Sequence, residues 1–169
     1  LKLGAVDLYS RDPLTLGDLL DDVAVEATVA TELSGFGLQL DMSDTLAIAV
    51  SQSGTTTDTN RTVDLLKARG AAVLAIDNRR SSDLTDKADG VMYTSDGRDI
   101  EMSVASTKAF YAQVAAGTLL ACAISEAAGS PTEQRRHELL TSLRALPDAM
   151  RAVLARRAAS QAPSEAAVP

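Results

Sequence analysis

The sequence predicts an α/β fold, a parallel sheet covered by helices on both faces, and three observations predict it. Short apolar runs, at roughly residues 23, 46, 72 and 91, alternate with helix-period stretches, and the connections between them are long enough only for crossovers. The run Leu46 to Val50 places Leu46, Ile48 and Val50 among alanines with no charge, as a strand buried on both faces does. At 169 residues and 46% hydrophobic content, the chain can hold one domain with a real core.

Taken in order, residues 1–22 resist assignment. Leu3, Val6 and Leu8 fit a short strand or a loose first turn, and Asp12-Pro13 marks a break. The leucines at 14, 16, 19 and 20, with acids at 18, 21 and 22, fit a short helix. Val23 to Ala27 alternates as a strand would. Ala30 to Phe36 carries Leu33 and Phe36 on one helical face before Gly35 and Gly37 loosen it, and Asp41 to Asp44 is a turn. Gly35-Phe36-Gly37 is no dinucleotide fingerprint, since no third glycine follows at the required distance.

After the buried strand comes a polar run, Ser51-Gln52-Ser53-Gly54-Thr55-Thr56-Thr57, and then a helix over Asp58 to Arg69 with Val63, Leu65, Leu66 and Ala68 at helical spacing, stopped by Gly70. A second strand, Ala71 to Ile76, leads to a short helix through Lys87 that Ser81 or Ser82 can cap. Gly90 to Thr94 is a further strand, and Ser95 to Asp99 a polar loop around Gly97. The long helix from near Val104 to about Ala128, ended by Gly129 and Pro131, is small and apolar all round, which suits a core helix packed on the sheet. Glu133 to Leu146 and Asp148 to Arg157 read as two amphipathic segments split by Pro147, and residues 159–169 as a flexible linker. The chain opens without Met and stops in a Pro- and Ala-rich tail, as a piece of something longer would.

The strand, polar loop and helix around Gly54 form the candidate site. A helix start leaves backbone N–H groups without intrahelical partners and carries partial positive charge, so an anion placed there gains hydrogen bonds and favourable electrostatics together. Gly54 lets the backbone turn closely around the anion, while Ser51, Ser53, Thr55 and Thr56 can add hydroxyl donors. An ordinary Ser-Gly-Thr turn merely caps a helix. A polar run this long, at the carboxyl end of a buried parallel strand, shifts the reading to a ligand site, because open parallel sheets bind ligands there.

Ser51-Gln52-Ser53-Gly54-Thr55-Thr56, followed by Val104-Ala105-Ser106-Thr107-Lys108-Ala109-Phe110, resembles the sugar isomerase (SIS) domain of the glutamine–fructose-6-phosphate aminotransferase family, which makes glucosamine 6-phosphate. The two motifs stand in the right order with the right strands between them, and the resemblance runs from about Val23 to about Arg157. It implies a flavodoxin-like sheet of five strands, with residues 23–130 forming the SIS domain and 131–158 leading towards a second one. By resemblance Ser51, Gln52, Ser53, Gly54 and Thr56 contact the phosphate and sugar, and Val104, Ala105 and Ser106 line the sugar. From the residues alone, Ser103 and Ser106 equally well cap a helix. One departure is Thr55, where the family usually has an acid. The family's opening strand, with a Gly-Thr-Ser turn, has no evident counterpart before Val23: either residues 1–12 stand in for it or it is lost, and loss is the expectation.

Isomerising a ketose phosphate needs a base near the transferring proton and a group to open the ring. His137 lies among Arg135, Arg136 and Glu138 on a surface helix, and Glu101, just before the sugar-lining segment, is the best local carboxylate, though a helix-start acid is the simpler role. The family's base glutamate, ring-opening histidine and C-terminal lysine fall outside the matched region, as do its glutaminase domain and second SIS domain. The chain is therefore expected to supply a sugar-phosphate site and no catalytic residue, with no metal and no cofactor, within a parent protein that forms a homodimer. A net charge of −7 argues against nucleic acid, and 3% aromatic content removes stacking platforms. Cys122 stands alone, so no internal disulfide forms. The apolar stretch Ala109 to Ser125 is short for a membrane span and contains Gln113, and with no signal peptide pattern the default compartment is the cytosol. The competing readings are a non-catalytic phosphosugar sensor, which needs a basic DNA-binding module, and a separate phosphosugar isomerase.

Overall fold

A computed structural model of the chain describes residues 2–6, 25–95 and 108–161. Among the described residues, five parallel strands form one sheet: β1 (Lys2–Val6), β2 (Val25–Ala27), β3 (Thr45–Val50), β4 (Ala72–Asp77) and β5 (Gly90–Tyr93). Their order across the sheet is β2-β1-β3-β4-β5, which is the flavodoxin-like winding. The expected loss of the opening strand is thus corrected. Residues 2–6 fill its place, pairing Leu3 with Val25 on one side and Leu46 on the other. A strand with Gly4 at its middle carries little pattern of its own, and the pairing on both edges supplies what the local sequence lacks.

Alternation along β3 and β4 sorts the core onto two faces. Ala47, Ala49, Val73 and Ala75 lie in one buried cluster with Val63, Leu66 and Leu84, which come from the helices α2 (Thr57–Lys67) and α3 (Asp83–Lys87). The neighbouring positions Ile48 and Ile76 are equally buried and face the opposite side. The helix α4 (Lys108–Ala127) packs against β4 and buries Ala109, Gln113, Ala116, Leu120, Ala121 and Cys122. Alanines at 47, 49 and 75 keep the sheet surface shallow enough for helices to approach closely.

Local chemistry sets the ends of these elements. Gly70 (φ 88°) and Gly129 (φ 69°) follow α2 and α4 in the left-handed conformation that terminates helices. Asp41 accepts the Ser43 N–H at 3.0 Å, closing the turn before β3, and these bonds hold its carboxyl below the usual carboxylate range. Of the two candidate caps for α3, Ser82 is the one used, in a reciprocal box with Thr85, while Ser81 takes the strained φ of 55° that brings the chain into it. Two ion pairs, Lys67–Asp89 and Lys87–Asp64, tie α2 to the segment around α3, and Asp89 also accepts the Val73 N–H at the start of β4.

Two expectations about helices need correction. The short helix α1 (Ala30–Glu32) runs into a π-helical turn over Leu33–Gly37, so Leu33 is buried while Phe36 is 95% exposed. The extra residue per turn rotates Phe36 off the face it shares with Leu33 in a regular α-helix. Further on, Glu133–Gln161 is one helix, α5, with Pro147 inside it. The proline removes one intrahelical bond, but the Leu, Ala, Arg and Met residues around it are strong helix formers and carry the helix through. This helix belongs to a second compact unit, and Leu146, Met150, Val153 and Leu154 on it are exposed.

Candidate functional site

The loop between β3 and α2 lies at the carboxyl end of the sheet. Ser51 extends the β3–β4 ladder by one bond, its N–H donating to Ile76 O at 2.9 Å, and the chain then leaves the sheet. Ser51 is buried, and its Oγ accepts the Gly54 N–H at 3.0 Å, which closes the turn from within. Gln52 and Ser53 are half-buried, and Thr55 and Thr56 are exposed. The Ser53 hydroxyl accepts from Thr55 Oγ1 at 3.1 Å and from the Thr55 N–H at 3.4 Å. Thr56 is the N-cap of α2, yet its side chain makes no capping bond. Among the described residues, the amides that open α2 thus lack the Thr56 side-chain oxygen that ordinarily caps a helix start, and residues 55–58 are exposed.

Gly54 is the tightest point. Its φ is +64°, and a Cβ there would lie 2.0 Å from Ser82 Oγ and 2.1 Å from Asp77 Oδ2. The loop after β3 is thus laid directly on the loop after β4, and the Leu84 N–H closes the contact by donating to Gly54 O at 3.1 Å. Beneath it, Asp77 is fully buried. Ser82 Oγ donates to Asp77 Oδ2 at 2.7 Å and the Arg79 N–H donates to Asp77 Oδ1 at 3.2 Å. Burial pushes the Asp77 carboxyl above its ordinary value, and the bonds from Ser82 and Arg79 offset part of that push.

Three residues here escape a reading of the sequence. Asp77 looks like the polar end of a strand and Ser82 like a simple cap, and nothing local shows that both touch Gly54. Asn60 lies on a buried side of α2 together with Thr59, Thr62, Val63 and Leu66, and its amide donates to Gly54 O and to Thr56 O. The one available signal was compositional: a run of Thr and Asn on the inward side of a helix is unusual unless their hydrogen bonds are used. The sugar-lining candidates Val104, Ala105 and Ser106, with Ser103 and Glu101, lie outside the described residues. His137 is exposed, as expected, and Cys122 is buried.

Over residues 19–123 the chain matches the SIS domain family. It belongs to that family. The chain is 41% identical over 131 residues to the isomerizing glutamine–fructose-6-phosphate aminotransferase of Mycolicibacterium smegmatis, and 41% identical over 122 residues to that of Symbiobacterium thermophilum. These alignments take in 78% and 72% of this chain, and the chain spans about 20% of the length of each relative. Among solved structures, the C-terminal domain of glucosamine-fructose-6-phosphate aminotransferase from Francisella tularensis superposes with a TM-score of 0.69 at 25% identity, covering 85% of this chain and 41% of that one. Glucosamine-6-phosphate deaminase from Thermotoga maritima shares the fold, with a TM-score of 0.61 at 21% identity over 82% of this chain and 43% of that one. The family read from the two sequence motifs and the parallel α/β fold are both supported by these matches.

Proposed function

We propose that this SIS domain is the sugar-phosphate-binding part of an isomerizing glutamine–fructose-6-phosphate aminotransferase, and that the loop Ser51–Thr56 seats the phosphate of fructose 6-phosphate. The observation that carries the reading is the open start of α2: an N-cap threonine that does not cap, behind a glycine turn at the carboxyl end of a central parallel strand. The 41% identity to the Mycolicibacterium smegmatis aminotransferase supports the choice of sugar. Holding the anion with neutral amides and hydroxyls suits a chain of net charge −7, since no cation has to be brought to the site.

On this reading Val104, Ala105 and Ser106 complete the sugar side. The groups that open the ring and move the proton, and those that release ammonia from glutamine, come from the rest of the parent chain. Helix α5 leads towards a second SIS domain, and the parent protein is a cytoplasmic homodimer that binds neither nucleic acid nor membrane. The stretch Ala109–Ala127 is long and apolar enough to cross a membrane by length and composition. Its contact with β4 and the burial of Gln113 and Ser125 within it support a core helix instead.

Calorimetric titration with fructose 6-phosphate, and with unphosphorylated fructose as the control, tests the reading. Binding of the phosphorylated sugar alone is expected, and no heat from either would remove the loop from the site. Ser53→Ala deletes a hydroxyl placed to donate to a charged group, worth roughly 1.5–3 kcal/mol, so the affinity for fructose 6-phosphate should fall by roughly ten- to a hundredfold.

A further inference from the structure

We propose that Asn60 is a positioning residue for the anion seat, a role that rests on the phosphate-loop reading above and adds to it. Asn60 is 7% exposed, and its Nδ2 donates to Gly54 O at 3.0 Å and to Thr56 O at 3.1 Å. Each of these oxygens also accepts a backbone bond, Gly54 O from the Leu84 N–H at 3.1 Å and Thr56 O from the Asn60 N–H at 3.0 Å. Both carbonyls are therefore engaged twice on the inner side of the loop. The amide of Asn60 bridges the two.

Peptide planarity turns this into a statement about direction. In a trans peptide the N–H points opposite to the C=O of the same unit. Fixing Gly54 O and Thr56 O inward aims the N–H groups of Thr55 and Thr57 outward, at the exposed surface where the phosphate is proposed to sit. Thr55 N–H has only a long contact of 3.4 Å to Ser53 Oγ to give up. Backbone N–H groups turned outward from a loop in this way are the donors that anions bind.

A second observation separates this role from ordinary packing. Among the described residues, Asn60 Oδ1 is buried and has no hydrogen-bond partner. An apolar side chain of similar size would avoid that loss, so what Asn60 contributes here is its two donations to the loop carbonyls. The orientation of the amide is itself fixed, because the flipped form would press Oδ1 against two carbonyl oxygens.

The test titrates the wild-type chain, Asn60→Ala, Asn60→Ser and Thr62→Val with inorganic phosphate and with fructose 6-phosphate, reading the amide resonances of Thr55 and Thr57 by NMR alongside the calorimetry. Thr62 supplies the structural control. Its hydroxyl shares its one proton between Ala30 O and Asp58 O, it is buried on the same helix, and none of its hydrogen bonds among the described residues reaches the loop. Asn60→Ala is expected to weaken phosphate and fructose 6-phosphate by the same factor, about tenfold or more, and to abolish the phosphate response of both amides. Asn60→Ser can still reach back to Thr56 O as serines in helices do, so the Thr57 response should survive and the Thr55 response should not. Thr62→Val should lower the unfolding temperature with affinity unchanged. Wild-type chain that ignores phosphate would overturn the phosphate seat and this role together. Tight binding by wild type and by Asn60→Ala alike would overturn the role of Asn60 alone. If Asn60→Ala does not fold, unchanged responses of both amides in Asn60→Ser would overturn it.

Discussion

Gly54→Ala should unfold the domain at a markedly lower temperature and abolish sugar-phosphate binding in whatever fraction still folds. Two separate penalties meet at this residue. A residue with a Cβ pays about 1–2 kcal/mol to adopt the left-handed conformation, and the φ here is +64°. The new methyl would also sit 2.0 Å from Ser82 Oγ and 2.1 Å from Asp77 Oδ2. Neither neighbour can retreat, because Ser82 is engaged in the cap of α3 and Asp77 is held by Ser82 and Arg79. Overpacking of a filled interior typically costs roughly 1–3 kcal/mol, so the sum is about 2–5 kcal/mol, a large share of the roughly 5–15 kcal/mol that stabilises a domain. Gly54→Asn separates the two penalties, since asparagine tolerates the left-handed region but brings the same Cβ. Thermal unfolding followed by circular dichroism should show both variants severely destabilised. Recovery of wild-type stability in the asparagine variant would mean that the conformation, and not the contact with Asp77 and Ser82, is what demands glycine.

That contact also marks the limit of what the sequence can say. The strand, loop and helix around Gly54 are legible because each is announced locally: an uncharged run for β3, a cluster of hydroxyls for the loop, and Val63 and Leu66 at helical spacing with Gly70 as the stop. Strand β4 and the cap at Ser82 are legible for the same reason. Strand β1 is not, since what identifies residues 2–6 is the partnership with Val25 and Leu46, and no local pattern encodes a pairing more than twenty residues away. Phe36 reads as an inward residue on any α-helical template, and only the π turn shows that it points to solvent. Pro147 reads as a break because its cost is local, whereas the helix-forming tendency that outweighs it is spread over the whole of Glu133–Gln161. For the site, the loop itself could be picked out by composition. Asp77, Ser82 and Asn60 could not, because their importance lies in which backbone atoms they touch.

Asp77 carries the second large effect, and its sign depends on pH. The carboxyl is fully buried, and burial raises its pKa above the value of 3.8 expected in the unfolded chain. For a group shifted in this direction the charged form is the disfavoured one in the fold. The penalty is absent below the unfolded pKa, grows as pH rises through the window between the unfolded and folded values, and is complete above it. Asp77→Asn removes the ionisation while keeping the shape. Its Oδ1 can accept from the Arg79 N–H, its Nδ2 can donate to Ser82 Oγ, and the Ser82 proton can turn to Thr85 Oγ1, which lies 3.4 Å away. Asp77→Leu instead takes the acceptor from the Arg79 N–H and leaves the Ser82 hydroxyl only the 3.4 Å contact to Thr85 Oγ1, at a cost of roughly 1–3 kcal/mol. Unfolding temperatures measured from pH 4 to pH 8 should therefore show the asparagine variant gaining on wild type as pH rises, while the leucine variant stays well below both. A constant difference between wild type and Asp77→Asn across that range would mean that Asp77 does not titrate in the window its burial implies. The same variant bears on binding: a buried negative charge under Gly54 opposes an anion seated above it, so at pH 8 Asp77→Asn should hold fructose 6-phosphate at least as tightly as wild type does.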